Sequence, residues 1–274
     1  MSRPRDPASI AGQLRRELER RLRAHQKAGE IPTSNRFLYY EIKQQNPELI
    51  TGKVRPDGPV IAALTQLRED GIIPWDWIVD ETRSVDDYSG FDTITGGVVA
   101  NLNGFRLCPW NGQPPMLICE SRSLAGVLRI HASEYRVLIT STNGQTNGFL
   151  RTKLQDRMRS QRVVYFGDFN LAGDQIEDNT RSVLTQVLGE LDWERLALTE
   201  EQVKRYHLPV KDVIDRRSDT SGESVECEAM SQARIVEILR SKLDALLPVP
   251  LKELERREER ERRRIRKLLS ASAP

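Results

Sequence analysis

Apolar residues recur at every fourth position, Ile10, Leu14, Leu18 and Leu22, within SIAGQLRRELERRLRAH. This spacing predicts a helix with one narrow apolar stripe and a largely basic remainder. Ser9 is placed to cap its start, and Gly29 and Pro32 to end it. A second helix is predicted over NRFLYYEIKQQ, opened by Thr33 or Ser34 and stopped at Asn46-Pro47. A third, PVIAALTQLREDG, carries Ile61, Leu64 and Leu67 on one side, with Pro59 in its first turn and Gly71 as its C-terminal cap. The apolar and aromatic run IIPWDWIVDETR that follows suits a strand. Three helices and an extended segment are the order of a winged helix-turn-helix, whose third helix commonly enters the major groove. A small helical bundle with no nucleic-acid role has the same order, and the pattern leaves both open.

Residues 84–115 carry DDYSGFDTITGG and NGQPP and read as a connector with short strands. From Pro115 the texture changes. MLICE, RVLIT and RVVYFGD are short apolar runs rich in β-branched residues, separated by the helix-compatible segments SLAGVLRIHASEY and GFLRTKLQDRMRS, and IEDNTRSVLTQVLGEL follows as another helix. Strands alternating with helices predict a parallel sheet with helices on its faces. DRRSDTSGESVE reads as a polar loop, and SQARIVEILRSKLDALL as a helix with Ile235, Ile238, Leu239, Leu243 and Leu246 on its apolar side. The tail LKELERREERERRRIRKLLS is nearly all charge, the pattern of a solvated helix, with direct nucleic-acid contact as the other reading.

Composition narrows the classes. A chain of 274 residues is long enough for two domains, or for one with an appendage. Charged residues make up 30% of it but nearly cancel, to a formal +2, so any nucleic-acid surface must be local. Cys108, Cys119 and Cys227 lack metal-ligand spacing and do not cluster with His25, His131 or His207, which argues against zinc. No apolar stretch is long enough for a membrane span, and the first residues lack the apolar core of a signal peptide. A cytoplasmic, nucleoid-associated location with reduced thiols is expected.

The candidate chemistry lies at the strand ends. MLICE ends in Glu120, and RVVYFGD ends in Asp168 with Asn170 two residues later. In a parallel sheet these acids emerge at the same edge, where open α/β sheets bind ligands. Several oxygen ligands brought together there suit Mg²⁺. Asp174, at the start of the following helix, adds a further oxygen.

A strand ending in Glu, a Gly-containing loop and a strand ending in Asp-x-Asp form the pattern of the Toprim domain of topoisomerases, primases and some nucleases. The chain resembles it at Glu120 and at Asp168-Phe169-Asn170, departing from it at Asn170, which offers a carbonyl oxygen but no charge. VECEAMSQARIVEILRSKLDALL resembles the closing stretch of the topoisomerase VI A subunit family, with Glu226 and Glu228 in the place of its acidic residues. That family, with its meiotic double-strand-break relatives, joins a winged helix to a Toprim domain and has an Arg followed by Tyr-Tyr. Here the text is Arg36-Phe37-Leu38-Tyr39-Tyr40, and the resemblance implies Tyr40 as nucleophile. The fold class expected is thus α/β plus an α-rich part: a winged-helix domain at 1–82, a connector at 83–114, a Toprim-like, Rossmann-like parallel-sheet domain at 115–247 and a charged helix at 248–274. The span RLALTEEQVKRYHLP and the unit PWNGQPPMLICESRSLAGVL also resemble uncharacterised bacterial and phage relatives of that subunit.

Arg36 and Tyr40 are four apart on a helix and share a face, where a guanidinium would favour the phenolate. An aromatic pair in such a helix is equally a core element, and Arg36 equally a phosphate or carboxylate partner. The resemblance implies a Mg²⁺-dependent protein that cleaves double-stranded DNA through Tyr40 and works as a homodimer, each copy supplying one tyrosine. The chain lacks the G-x-x-x-x-G-K-[ST] phosphate loop, so ATP-driven strand passage would need a separate B-like ATPase subunit. Two alternatives stand beside this: a Toprim nuclease in which metal-bound water attacks, and a non-catalytic DNA-binding protein that keeps the scaffold.

Overall fold

Capping chemistry sets the bounds of three N-terminal helices. In a computed structural model that describes residues 8–51, 55–79, 89–144, 147–154, 157–215 and 220–271, helix α1 spans Ile10–Ala28. Ser9 Oγ accepts the Gly12 N–H at 3.1 Å, and the helix ends on Gly29 in the left-handed region, φ 74°. Helix α2 (Asn35–Gln45) starts where Ser34 Oγ accepts the Phe37 N–H and stops before Pro47; α3 spans Gly58–Glu69 with a proline in its first turn. Leu14, Leu18 and Leu22 on α1 and Leu64 and Leu67 on α3 are buried as the spacing predicts, with Phe37 and Leu38 from α2, whereas Ile10 and Ile61, expected on the same faces, are exposed.

The following segment is not the expected strand. Trp75–Trp77 is a single 3-10 turn, and among the described residues the run pairs in one isolated parallel bridge, Ile78 with Thr33, through the Trp77 carbonyl and the Val79 N–H. Pro74 sits at the head of that turn without an N–H to lend to a ladder. The rest of the run, from residue 80, lies outside the described residues. In the connector, where short strands are expected, Ile94–Asn101 forms helix α4, capped by Thr93 Oγ1 accepting the Gly96 N–H at 2.9 Å. With no partner strand beside it, local capping decides over the β preference of its Ile and Val residues.

The second half is α/β. Strands β1 (Met116–Cys119), β2 (Leu138–Ser141), β3 (Arg162–Phe166) and β4 (Asp192–Ala197) form a parallel sheet in the order β2-β1-β3-β4, compatible with a Rossmann-like domain. The crossovers are α5 (Arg122–Tyr135), a short α6 (Asn147–Phe149) continued by a wider turn over Leu150–Leu154, and α7 (Leu171–Leu188). The helix expected over GFLRTKLQDRMRS is thus short, and α7 begins earlier than IEDNTRSVL, at the residues after Asn170. Strand β4 is absent from the expected set, because Asp192, Glu194 and Arg195 are charged and interrupt any apolar run.

Alternation along the strands divides the core. Leu117, Cys119, Val164 and Phe166 face one cluster with α5 and the N-terminal helices; Met116, Ile118, Val163 and Tyr165 face another with Leu150, Leu154, Val183 and Leu184. The first cluster runs without a break from Leu14 on α1 to Leu243. One apolar core therefore joins the two regions that the sequence divides.

Helix α8 (Glu200–Arg205) has a complete capping box between Thr199 and Gln202. Beyond it, β5 (Lys211–Asp215) and β6 (Thr220–Ser224) pair antiparallel, correcting the polar loop expected at DRRSDTSGESVE; residues 216–219 lie outside the described set. Backbone pairing needs no apolar alternation, which is why this hairpin is silent in the hydrophobic pattern. Helix α9 (Gln232–Leu246) buries Ile235, Leu239 and Leu243. The charged α10 (Leu251–Ala271) is anchored as well as solvated: Glu258 is buried, 3.0 Å from Arg136 and 3.1 Å from Arg262, and accepts the Leu107 N–H at 2.7 Å. Among the described residues, no helix is long and apolar enough to cross a membrane.

Candidate functional site

Strands β1 and β3 are neighbours, and the chain leaves them toward opposite sides of the sheet, to β2 and to β4. This makes their carboxyl ends the topological switch point of the sheet, the usual crevice for a ligand. Glu120 follows β1 there, its N–H donating to the Phe166 carbonyl at 2.8 Å, and its Oε2 accepts the Asp168 N–H at 2.9 Å. The two acids thus lie at one edge of the sheet, joined through the Asp168 backbone N–H.

A third carboxylate joins them from a distant part of the chain. Phe169 and Val225 pair in an antiparallel bridge, with both N–H···O contacts at 2.9 Å, which brings residues 226–228 beside Asp168. Asp168 Oδ1 accepts the Cys227 N–H at 2.8 Å, and Glu228, 1% exposed, points inward. Glu228 Oε1 accepts from the hydroxyls of Ser121 and Ser123, each at 2.7 Å, while Oε2 is buried with no hydrogen-bond partner among the described residues. A buried carboxylate oxygen left without a donor is costly and marks a place for a proton or a cation.

Charge crowding follows. Burial, then Glu228 and then Glu120, push the Asp168 carboxyl up to about 8, and burial raises Glu120 above the usual carboxylate range against the Asp168 N–H and Arg195. The three carboxylates feel one another without closing around one point: among the described residues, no group of three His, Cys, Asp or Glu side chains forms a ready metal cage. Their donor atoms are hard oxygens, the kind that suit Mg²⁺.

Asn170 and Asp174 are engaged elsewhere. Asn170 is the N-cap of α7, its Oδ1 accepting the Gly173 N–H at 2.7 Å and its Nδ2 donating to Ser224 Oγ at 3.3 Å. Asp174 lies 2.9 Å from Arg195 Nη1 and is largely exposed. Arg195, a residue that the sequence did not single out, also donates to the carbonyls of Leu198 and Asp168 and pairs with Glu177. Gly173 completes the loop: a Cβ there would stand 2.5 Å from the Asp168 carbonyl oxygen and 3.2 Å from Glu120 Oε2.

Helix α2 brings Arg36 and Tyr40 to this edge within the same chain. Arg36 pairs with Glu226 and lies 3.4 Å from Glu228 Oε1, so its guanidinium is spent on carboxylates. Tyr40 is 2% exposed and packs edge-on against Tyr39, ring centroids 5.1 Å apart. Its hydroxyl hydrogen-bonds to Glu226 and accepts from Lys211 Nζ at 3.3 Å. The expected pull of Arg36 toward the phenolate is present but is not the dominant influence. Arg36 does pull the Tyr40 hydroxyl down, but burial and the Glu226 charge outweigh it and hold the hydroxyl well above its ordinary value. Burial alone would raise Glu226, yet Arg36, by charge and hydrogen bond, and Tyr40 keep it below the usual carboxylate range.

Between α2, α3 and the start of α5 runs a groove of about 480 Å³, lined by Arg36, Arg68 and Arg122 with Ser121, Ser123 and Asn143. The class defined so far is an α/β protein with a parallel, Rossmann-like sheet, an acidic cluster at its switch point and a helical N-terminal region packed on that edge. No family model matches the chain, and no match was found among curated proteins or among solved structures.

Proposed function

We propose that the chain is a Mg²⁺-dependent DNA-cleaving protein, resembling the topoisomerase VI A subunit, in which Tyr40 attacks a backbone phosphate. One observation carries this reading: the run of contacts Tyr40 to Glu226, Glu226 to Arg36 and Arg36 to Glu228 links a tyrosine hydroxyl to the Glu120–Asp168–Glu228 cluster. It has the form of a nucleophile, a base and a group that orients the base.

As the Tyr40 oxygen bonds to phosphorus, its proton passes to the Glu226 carboxylate. The bond between phosphorus and the departing strand end breaks, and the released oxygen takes a proton from solvent. Arg36 fixes the Glu226 carboxylate for this transfer, and Lys211, beside the hydroxyl, offsets negative charge on the phenolic oxygen. Glu120, Asp168 and Glu228 would hold Mg²⁺, which when bound polarises the phosphate and supports charge on the leaving oxygen. The helices of residues 1–82 serve as the winged-helix-like DNA-binding part, with the three-arginine groove as the path of the strand. Cleavage of both strands of double-stranded DNA calls for a homodimer in the cytoplasm or nucleoid, and strand passage for a separate B-like ATPase subunit.

The test is covalent trapping: incubation with supercoiled plasmid and Mg²⁺, rapid denaturation, and detection of DNA-linked protein. The native chain should form the adduct and Tyr40→Phe should lose it; equal cleavage by Tyr40→Phe overturns the mechanism. The burial of Tyr40, at 2% exposure, favours a second reading, a hydrolytic nuclease that uses the acids alone. Cleavage that survives Tyr40→Phe and disappears in Glu120→Ala or Asp168→Ala identifies it. Salt-sensitive duplex binding without nicking in Mg²⁺ or Mn²⁺ assigns the non-catalytic scaffold instead.

A further inference from the structure

Two lysines converge on Tyr40 from segments far apart in the chain. Lys43, in the last turn of α2, holds its Nζ 5.8 Å from the Tyr39 ring centroid and 5.7 Å from that of Tyr40. Lys211, the first residue of β5, holds its Nζ 5.4 Å from the Tyr40 centroid and 3.3 Å from the Tyr40 hydroxyl. The rings thus seat both ammonium groups by cation–π attraction.

The two charges stand against each other. Burial, and next the charge of Lys211, hold Lys43 below its ordinary value. Glu226 faces the same space, 3.8 Å from Lys211 Nζ, but its charge is already matched by Arg36. Lys211 pairs with Glu226 and Lys43 feels the same carboxylate, so the two ammonium groups share one charge that Arg36 also engages, and Lys211, with 40% of its side chain exposed, leaves the approach from solvent open.

We infer that Lys43 and Lys211 form a binding site for a phosphate group beside the Tyr40 hydroxyl, the ligand being a phosphodiester of a nucleic-acid strand. The assignment rests on the DNA reading above. A phosphodiester carries a single charge over two non-bridging oxygens, one for each ammonium, and lysine meets phosphate as a point charge. The β5–β6 hairpin then acts as the element that carries Lys211 to the strand.

The experiment measures binding of a fluorescent duplex by the full chain in EDTA, where cleavage does not intervene, across a salt series. Each phosphate contact contributes about 0.9 to the slope of log K against log salt. The double variant Lys43→Ala with Lys211→Ala should lower the slope by about that much, each single variant by less, and Lys43→Arg with Lys211→Arg should restore it. Thermal melts confirm that each variant is folded, and the charge-keeping arginine pair separates loss of charge from loss of structure. An unchanged slope in a folded double variant overturns the lysine site while leaving the DNA reading intact. Failure of the unaltered chain to bind duplex overturns both. Inorganic phosphate titrated by ³¹P NMR provides the other arm: lysine-dependent phosphate binding with a lysine-independent duplex slope overturns the nucleic-acid assignment.

Discussion

Among the described residues Asp168 Oδ1 accepts one backbone N–H, from Cys227, and the side chain faces two other carboxylates, so its proton is held far more tightly than in an unfolded chain. The folded carboxyl titrates at about 8, against an ordinary value of 3.8. Because the folded value is the higher one, the protonated group stabilises the fold fully below about pH 4, and that contribution is lost as pH rises through about 8. Asp168→Asn should flatten this loss, gaining roughly 1–3 kcal/mol over the native chain at pH 8.5 and little at pH 4. Glu228→Gln removes the largest charge acting on Asp168 and should move the loss toward lower pH. In the native chain Mg²⁺ should raise the melting temperature more at pH 8.5 than at pH 6, since a cation binds the ionised form. Melts over a pH series with and without Mg²⁺ check all three, and a melting temperature insensitive to Asp168→Asn at every pH removes the charge-crowding account.

At the scale of elements, Asn170 and Gly173 bind the acidic edge to the start of α7. Asn170→Ala deletes the cap of that helix and should cost about 1 kcal/mol, whereas Asn170→Asp keeps a cap oxygen and adds charge near the helix N-terminus, for a change within about 0.5 kcal/mol. Gly173→Ala should cost about 1–3 kcal/mol, because its Cβ would meet the Asp168 carbonyl at 2.5 Å and backbone cannot easily give way. Chemical denaturation measures these; a neutral Gly173→Ala would mean that the α7 start is looser than its packing implies. Asn170, at which the chain departs from the Asp-x-Asp pattern, is thus explained by helix capping whatever it contributes to a cation.

Across the whole molecule, the helices of residues 8–79 and the sheet share one apolar cluster, and polar contacts reinforce the junction. Gln232 Nε2 donates to the carbonyls of Glu30 and Pro32 at 2.9 and 3.1 Å, and Gln44 Nε2 to that of Ala229 at 2.9 Å. The chain should therefore melt in a single transition by calorimetry, with far- and near-ultraviolet dichroism coincident. Leu38→Ala, at a fully buried position of α2, should lower that one transition by about 2–5 kcal/mol rather than detach the N-terminal helices. A separate early transition in this variant would restore the two-domain division.

What the sequence determined by itself is the set of elements whose information is local. Helices α1, α2 and α3 with their Ser9, Ser34 and Gly29 caps, and the buried runs β1 and β3 ending in Glu120 and Asp168, follow from periodicity and turn chemistry. Strand β4, half-buried over residues 193–195, and the largely polar β5–β6 hairpin exist because a neighbouring backbone supplies their hydrogen bonds. The site is divided in the same way. That Glu120 and Asp168 share an edge follows from parallel strands, but that Glu228 joins them depends on the Phe169–Val225 bridge, and that Tyr40 meets Glu226, Lys43 and Lys211 depends on how α2 docks. These residues come from segments separated by up to 188 positions, from Tyr40 to Glu228. Only the tertiary structure brings their charges within reach of one another, and with that proximity come the displaced titrations, the spent charge of Arg36 and the crowding at Asp168.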